Sequence, residues 1–241
     1  MQEYSMDVKV ENLNCDENGT MKLQVLFDLL MKACDHQLAK TKISGNALAS
    51  KNWGWVVTQY EGKIDRLPRF GEIITIKTND KGFNRFFCYR DFDVYDAENN
   101  LLLSLSSRWV MFDLEKRKLI PTQTELLTSQ GYEALDKLPK FKRLRKQDAY
   151  ISSRPYRARY DDLDLNHHVT NSHYFSWMID MYDRDFLKKH ELTSLAISFD
   201  QEVRYGDEIN SLFKLENDTA YHQIFSNDHE NSVCELTWKE R

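Results

Sequence analysis

Apolar residues change their spacing along this chain, and the changes mark out its elements. Residues 4–10, YSMDVKV, alternate like one half-buried strand. CDENGT then supplies turn and capping residues. Leu23, Leu26, Phe27, Leu30, Cys34 and Leu38 recur three and four positions apart, which predicts a core-facing helix. Strand-like runs follow at 53–61, 72–78, 83–95 and 101–112, punctuated by turn residues at Gly62, 68–71, 79–82 and 96–100. From Pro121 to Tyr150 apolar density falls, with a short helix expected near 123–135. The order then returns: a strand at 151–159, a helix over 170–187, and runs at 194–205, 207–216, 220–226 and 232–238. The second helix carries Tyr174, Trp177, Met178 and Met181 on one face and Phe175, Ile179, Tyr182 and Phe186 on another, so it must be buried on most sides.

Sliding one half over the other by 148 positions pairs Asp16 with Asp164, Asn18 with Asn166, Phe27 with Phe175 and Asp35 with Asp183, which supports an internal repeat. A long apolar helix followed by four antiparallel strands buries itself only if the sheet curls around it. Two such units side by side make an α+β double hot-dog, although periodicity alone leaves other α+β strand orders open. The expected divisions are a first unit over 1–122, a basic linker over 123–150 and a second unit over 151–241.

Composition adds bounds. The chain has 241 residues, 41% of them apolar, enough for a substantial core. No apolar run reaches the roughly 20 residues that span a bilayer, and MQEYSMDVKVENLN lacks a signal-peptide pattern, so no membrane insertion and a cytoplasmic location are expected. Cys15, Cys34, Cys88 and Cys234 are scattered without a CxxC pair and read as reduced, packing thiols. Net charge is −5, but residues 115–159 hold 12 Lys or Arg against five acids, a local +7 that leaves −12 for the rest. That segment is either a solvated linker or a docking surface for an acidic partner, with Lys140, Lys142, Arg143, Arg145 and Lys146 its densest part.

The chemistry concentrates in YDDLDLNHHVTNSHYF. Asp164, Asn166 and His168 stand at alternate positions and share one face of an extended segment, just ahead of a buried helix whose free N–H groups favour developing negative charge. Loop and cap duty accounts for Asp and Asn equally well at this level. In the first half Thr20 replaces the histidine, so the chemistry belongs to the second. Asp161 and Asp162 are expected to face solvent. His167, His168 and His173 lack the i, i+4 spacing of a zinc site, so no metal or other cofactor is expected. No phosphate loop or basic aromatic array points to nucleic acid. Trp53 and Trp55 either line a tunnel or fill a core.

At this point DDLDLNHHVTNSHYFSWMID resembles the signature of the acyl-acyl carrier protein (acyl-ACP) thioesterases, whose plant members carry Asp-x-Asn-x-His followed by Val, Asn-rich residues, Tyr and Trp. WVVTQYEGKIDRLPRFGEIITIKT, SSRWVMFDLEKRKL and LAISFDQEVRYGDEI resemble family segments in the same order, over about residues 20–210. The resemblance implies a double hot-dog hydrolase of fatty acyl-ACP, of bacterial type since no plastid transit peptide is recognisable, acting in fatty acid biosynthesis. It places the catalytic Asp, Asn, His and Glu on Asp164, Asn166, His168 and Glu202. The Cys that plant members carry after that Glu is Val203 here, so a thiol nucleophile at that place is ruled out. The first unit is implied to house the acyl chain, with Trp53, Trp55, Leu26 and Leu30 as candidate lining residues.

Two carboxylates close together, Asp164 and Glu202, would push one pKa upward and suit one of them to accept a proton. Either Glu202, oriented by His168, activates a water that Asn166 positions, or Asp164 attacks to form an anhydride; amides at the start of the 170–187 helix are the expected oxyanion donors. Acyl carrier protein is the expected partner, and a homodimer is left open. Alternatives are acyl-coenzyme A hydrolysis and a non-catalytic acyl- or carrier-binding module.

Overall fold

The computed structural model describes residues 3–144, 146–227 and 229–241. Its strands are β1 (Tyr4–Lys9), β2 (Trp53–Ile64), β3 (Ile73–Phe83), β4 (Cys88–Tyr95), β5 (Leu101–Asp113), β6 (Lys118–Ile120), β7 (Ser152–Arg157), β8 (His190–Phe199), β9 (Glu208–Glu216), β10 (Thr219–Ser226) and β11 (His229–Glu240). Its α-helices are α1 (Leu23–Leu38), α2 (Gly45–Ala49), α3 (Thr124–Ser129), α4 (His173–Ile179) and α5 (Arg184–Lys189). The strands form one sheet in the order β1-β3-β4-β5-β2-β8-β11-β10-β9-β7, with β6 on β5. Read outward from the middle, 2-5-4-3-1 and 8-11-10-9-7 are the same pattern. The halves join where β2 and β8 pair antiparallel from Gln59↔Ser198 to Lys63↔Ser194. This is the double hot-dog.

Each unit wraps its half of the sheet around its helix. The predicted stripe of α1 is buried at Leu23, Leu26, Phe27, Leu30, Cys34 and Leu38, and α4 buries five of its seven residues. Phe27 and Phe175 meet with ring centroids 4.4 Å apart. Around them Gln24 bonds Ser176 while Asp28 bonds Ser172, two contacts exchanged by the 148-residue shift. The repeat inferred from four identities is therefore a pseudo-two-fold whose axis passes by the phenylalanine pair.

Three local expectations change. The helix over 170–187 is two helices, because the chain tightens after Ile179: Met181 and Tyr182 donate to Met178 and Ile179 three residues back. Arg154 and Tyr156 of β7 hold the Asp180 carboxylate at 2.5 and 2.6 Å, fixing the break. Gly62 does not end its strand but pairs within it, against Leu105 and Leu195. A Cβ there would lie 2.1 Å from the Ser104 carbonyl oxygen, so only glycine permits the approach of β5. Residues 79–82 likewise continue β3 rather than turning.

The segment between the units lies against the sheet. Leu127 and Tyr132 are buried, and the Tyr132 hydroxyl accepts a 3.1 Å bond from buried Arg90. The chain then crosses the outer face of the β2–β8 seam: Gln59 donates to the Lys142 carbonyl at 2.7 Å, and the Lys142 amide donates to Glu61 at 2.6 Å. Among the described residues no helix is long and apolar enough to cross a membrane.

Candidate active site

Residues 160–169 fold as a one-turn 3-10 helix, Tyr160–Asp162, followed by a tight turn. The turn is built by Asp164. Its Oδ1 accepts the amides of Asn166 at 2.8 Å and His168 at 3.3 Å, and its Oδ2 accepts the Asn166 side-chain amide at 3.1 Å. Its own amide donates to the His168 carbonyl at 2.8 Å, closing the loop. His167 bears the conformational cost, with φ at 66°, in the left-handed region. The alternation that predicted a shared strand face thus resolves into an Asx-type turn, in which short-range bonding outcompetes extension. The three side chains still emerge from one small loop.

His168 leans from this turn toward the second unit's 202–207 loop. Its Nε2 lies 2.9 Å from Glu202 Oε2, and Glu202 also contacts the guanidinium groups of Arg117 and, at 3.2 Å, Arg204. Arg117 comes from the other half of the molecule. Asp113 folds the β5–β6 turn by accepting the Lys116 amide at 2.8 Å, and Arg117 follows with φ at 55°. Burial, and after it the Arg117 charge, hold the His168 imidazole below its ordinary pKa, with Asp164 pulling the other way. A neutral imidazole beside a carboxylate donates through Nε2 and keeps Nδ1 as an acceptor. His168 links the two carboxylates expected at the site. His168 stands between Asp164, bonded through its amide, and Glu202, bonded through its ring, and the neighbours that stabilise the Glu202 charge are cationic.

At the helix start, Val169 donates to the Val203 carbonyl at 2.9 Å and Thr170 to the Asp162 carbonyl at 3.0 Å. Those two amides, expected as oxyanion donors, are engaged, and so is that of His173, which donates to the Thr170 carbonyl at 3.0 Å. Asp162 is not solvent-facing as expected but 3% exposed. Burial opposes its charge, yet side-chain and backbone bonds from Arg159 hold its carboxyl below the usual range, and His173 lies 3.5 Å away. His173 therefore braces the loop from inside, edge-on to Trp177. Arg117, Arg204 and Asp162 all escaped the sequence reading. An i, i+3 Arg159–Asp162 spacing was visible for the last; nothing local tied Arg117 to a loop in the other unit.

The other expected residues are dispersed. Leu26 and Leu30 are fully buried on the core-facing side of α1. Trp55 donates its indole N–H to the Ile43 carbonyl at 2.9 Å, and Trp53 lies under the Lys51 ammonium, 5.4 Å away. In the basic segment Lys142 pairs with Glu235, and Lys146 with Glu230 at 3.0 Å, while Lys140 and Arg143 are exposed; Arg145 lies outside the described residues. All four cysteines are buried, and so is Val203.

The first unit repeats the turn with Thr20 at the histidine position. Asp16 Oδ1 accepts the amides of Asn18 at 2.8 Å and Thr20 at 3.0 Å, with Gly19 at φ 72° where His167 stands. Arg69 and Glu72 close the facing loop as Arg204 and Asp207 do, through amide-to-carboxylate bonds of 2.8 Å in both. That correspondence puts Thr20 in the place of His168 and Leu67 in the place of Glu202.

Residues 1–129 match the acyl-ACP thioesterase N-terminal domain and residues 145–240 its C-terminal domain. A palmitoyl-acyl carrier protein thioesterase of Gossypium hirsutum is 23% identical over 87% of this chain and 54% of its own, and an Arabidopsis thaliana oleoyl-acyl carrier protein thioesterase is 24% identical over 87% and 63%. The chain thus spans little more than half the length of these curated relatives. A solved Lactobacillus plantarum structure, provisionally called an oleoyl thioesterase, is 29% identical with a TM-score of 0.94, covering 99% of this chain and 96% of its own. The Umbellularia californica 12:0-ACP thioesterase shares the fold at 17% identity and a TM-score of 0.89, covering 99% and 98%.

Proposed function

The chain belongs to the acyl-ACP thioesterase family, and on that premise we propose that it hydrolyses the thioester of fatty acyl-acyl carrier protein, releasing free fatty acid and the carrier's thiol. The observation that carries the reading is the 2.9 Å contact of His168 with Glu202, made by residues that an Asp164-built turn and two guanidinium groups hold in position. In the proposed mechanism, water attacks the thioester carbon while His168 Nδ1 takes its proton. Glu202 fixes the tautomer and stabilises the imidazolium. Asn166 orients the water or carbonyl. When the C–S bond breaks, His168 returns the proton to sulfur. Both Asp164 oxygens are occupied by the turn, which favours an orienting duty over direct attack.

The test is thiol release from a panel of acyl carrier protein thioesters of graded chain length, with acyl-coenzyme A alongside. Preferential turnover of the carrier-bound substrates is expected. Faster turnover of acyl-coenzyme A would reassign the donor, and no turnover of either would leave only a binding module.

A further inference from the structure

A cavity of about 490 Å³ opens beside the first unit's non-catalytic turn. Asp16, Thr20, Leu67 and Arg69 line it, the residues that correspond by the pseudo-two-fold to Asp164, His168, Glu202 and Arg204. Its walls are apolar, with Leu67, Phe175, Ile179, Leu192 and Trp238 among them. In size it suits a small organic ligand, for which pockets of about 300–1,000 Å³ are usual. At one end of its rim cations outnumber acids: Glu191 is shared by Arg69 at 3.0 Å, Arg241 at 3.8 Å and, from outside the lining, Lys239 at 3.9 Å, while the other two lining carboxylates are engaged elsewhere, Asp180 by Arg154 and Asp16 by the turn amides of Asn18 and Thr20. Arg241 also reaches Thr20, the residue that stands where the other site has His168.

An apolar chamber with surplus guanidinium charge at its mouth matches a molecule with one long apolar tail and one carboxylate. We propose that this cavity is a second, non-hydrolytic site that binds a free fatty acid, tail among Ile179, Leu192 and Trp238 and carboxylate at Arg69 and Arg241. Thr20 and Leu67 stand in place of the imidazole and carboxylate, so the pair proposed to activate water in the second unit is not repeated here. Taking a fatty acid as the ligand rests on the proposed hydrolysis, whose product it is; the cavity and its charged rim stand independently.

The test is quenching of tryptophan fluorescence by 12-bromododecanoate, with unbrominated dodecanoate as competitor. Saturable, competable quenching is expected, and Trp238→Phe should remove that component while leaving any quenching of the other four tryptophans. Ile179→Trp, which fills the chamber, should weaken binding at least tenfold. Should that variant not fold, Arg69→Ala with Arg241→Ala, at exposed positions, carries the test: dodecanoate should weaken at least fivefold and uncharged dodecanol hardly at all. Quenching that does not saturate, or that survives Trp238→Phe or both cavity variants unchanged, overturns the site. Turnover without Trp238 quenching would remove this site alone; Trp238 quenching without any turnover would remove the hydrolysis and leave the site.

Discussion

Among the described residues Glu202 has three partners, an imidazole and two guanidinium groups, and this crowding sets what each residue can be expected to do. Asp164→Asn, His168→Ala and Glu202→Gln should each lower kcat at least about 100-fold, the lower end of what an acid–base group contributes, with the circular dichroism unchanged. A folded His168→Ala enzyme with near-normal turnover would rule out its role as base. Arg117 offers a sharper test through pH. Because the positive Arg117 disfavours the imidazolium, Arg117→Ala should raise the His168 pKa. If His168 is the base, the acid limb of the kcat/KM profile, where activity is lost as it protonates, should then move to higher pH, and an unmoved limb would separate Arg117 from the group that titrates there. Asp164, Asn166 and His168 were legible because they form a compact local pattern. Arg117 was not, since its part depends on a hairpin tip of one unit reaching a loop of the other, and no periodicity records such a meeting.

At the scale of elements, most helices and strands were legible from spacing, and the errors have physical causes. The 170–187 run has unbroken helical periodicity, but β7 side chains captured Asp180 and divided it. Gly62, usually a terminator, is an interior glycine because a neighbouring strand needs the space of its missing side chain. The basic linker reads as charge in the sequence, yet two of its lysines are already paired with Glu230 and Glu235. Among the described residues, any steering of an acidic carrier therefore falls chiefly on Lys140 and Arg143. Exposed charges are screened over about 10 Å at 0.1 M salt. The kcat/KM on carrier-bound substrate should accordingly fall as salt rises, more steeply than on acyl-coenzyme A. Lys140→Glu with Arg143→Glu should raise KM for the carrier-bound substrate and leave kcat alone; an unchanged KM would reduce the segment to a tether.

Across the whole molecule, the repeat was visible as four matched residues, while the strand order that makes it a two-fold was not, because pairing partners lie far apart in sequence. The symmetry is also broken by buried polar groups. His222 is fully buried, its Nε2 bonded at 2.9 Å to the Tyr182 hydroxyl, which in turn accepts from the Trp238 indole at 2.9 Å. Burial drives the His222 pKa down to about 3. The unfolded chain binds this proton below about pH 6.5 and the folded one does not, so stability is present above that pH and lost as pH falls toward 3. The loss approaches about 1.4 kcal/mol per pH unit from this group. Urea unfolding between pH 6 and 4 should show a slope about one proton shallower in His222→Gln than in the wild type; equal slopes would show that His222 does not set it.

The β2–β8 seam carries one more consequence. Every backbone bond across it is an edge that neither half closes alone. Cut within the linker, the chain would yield two pieces, each with a bare, register-specified margin along β2 or β8. Each piece would be expected to seek a copy of itself, or of the other, because an open strand edge is a template for pairing. Covalent continuity thus acts as a chaperone of assembly, keeping the right margin within reach before any wrong one arrives.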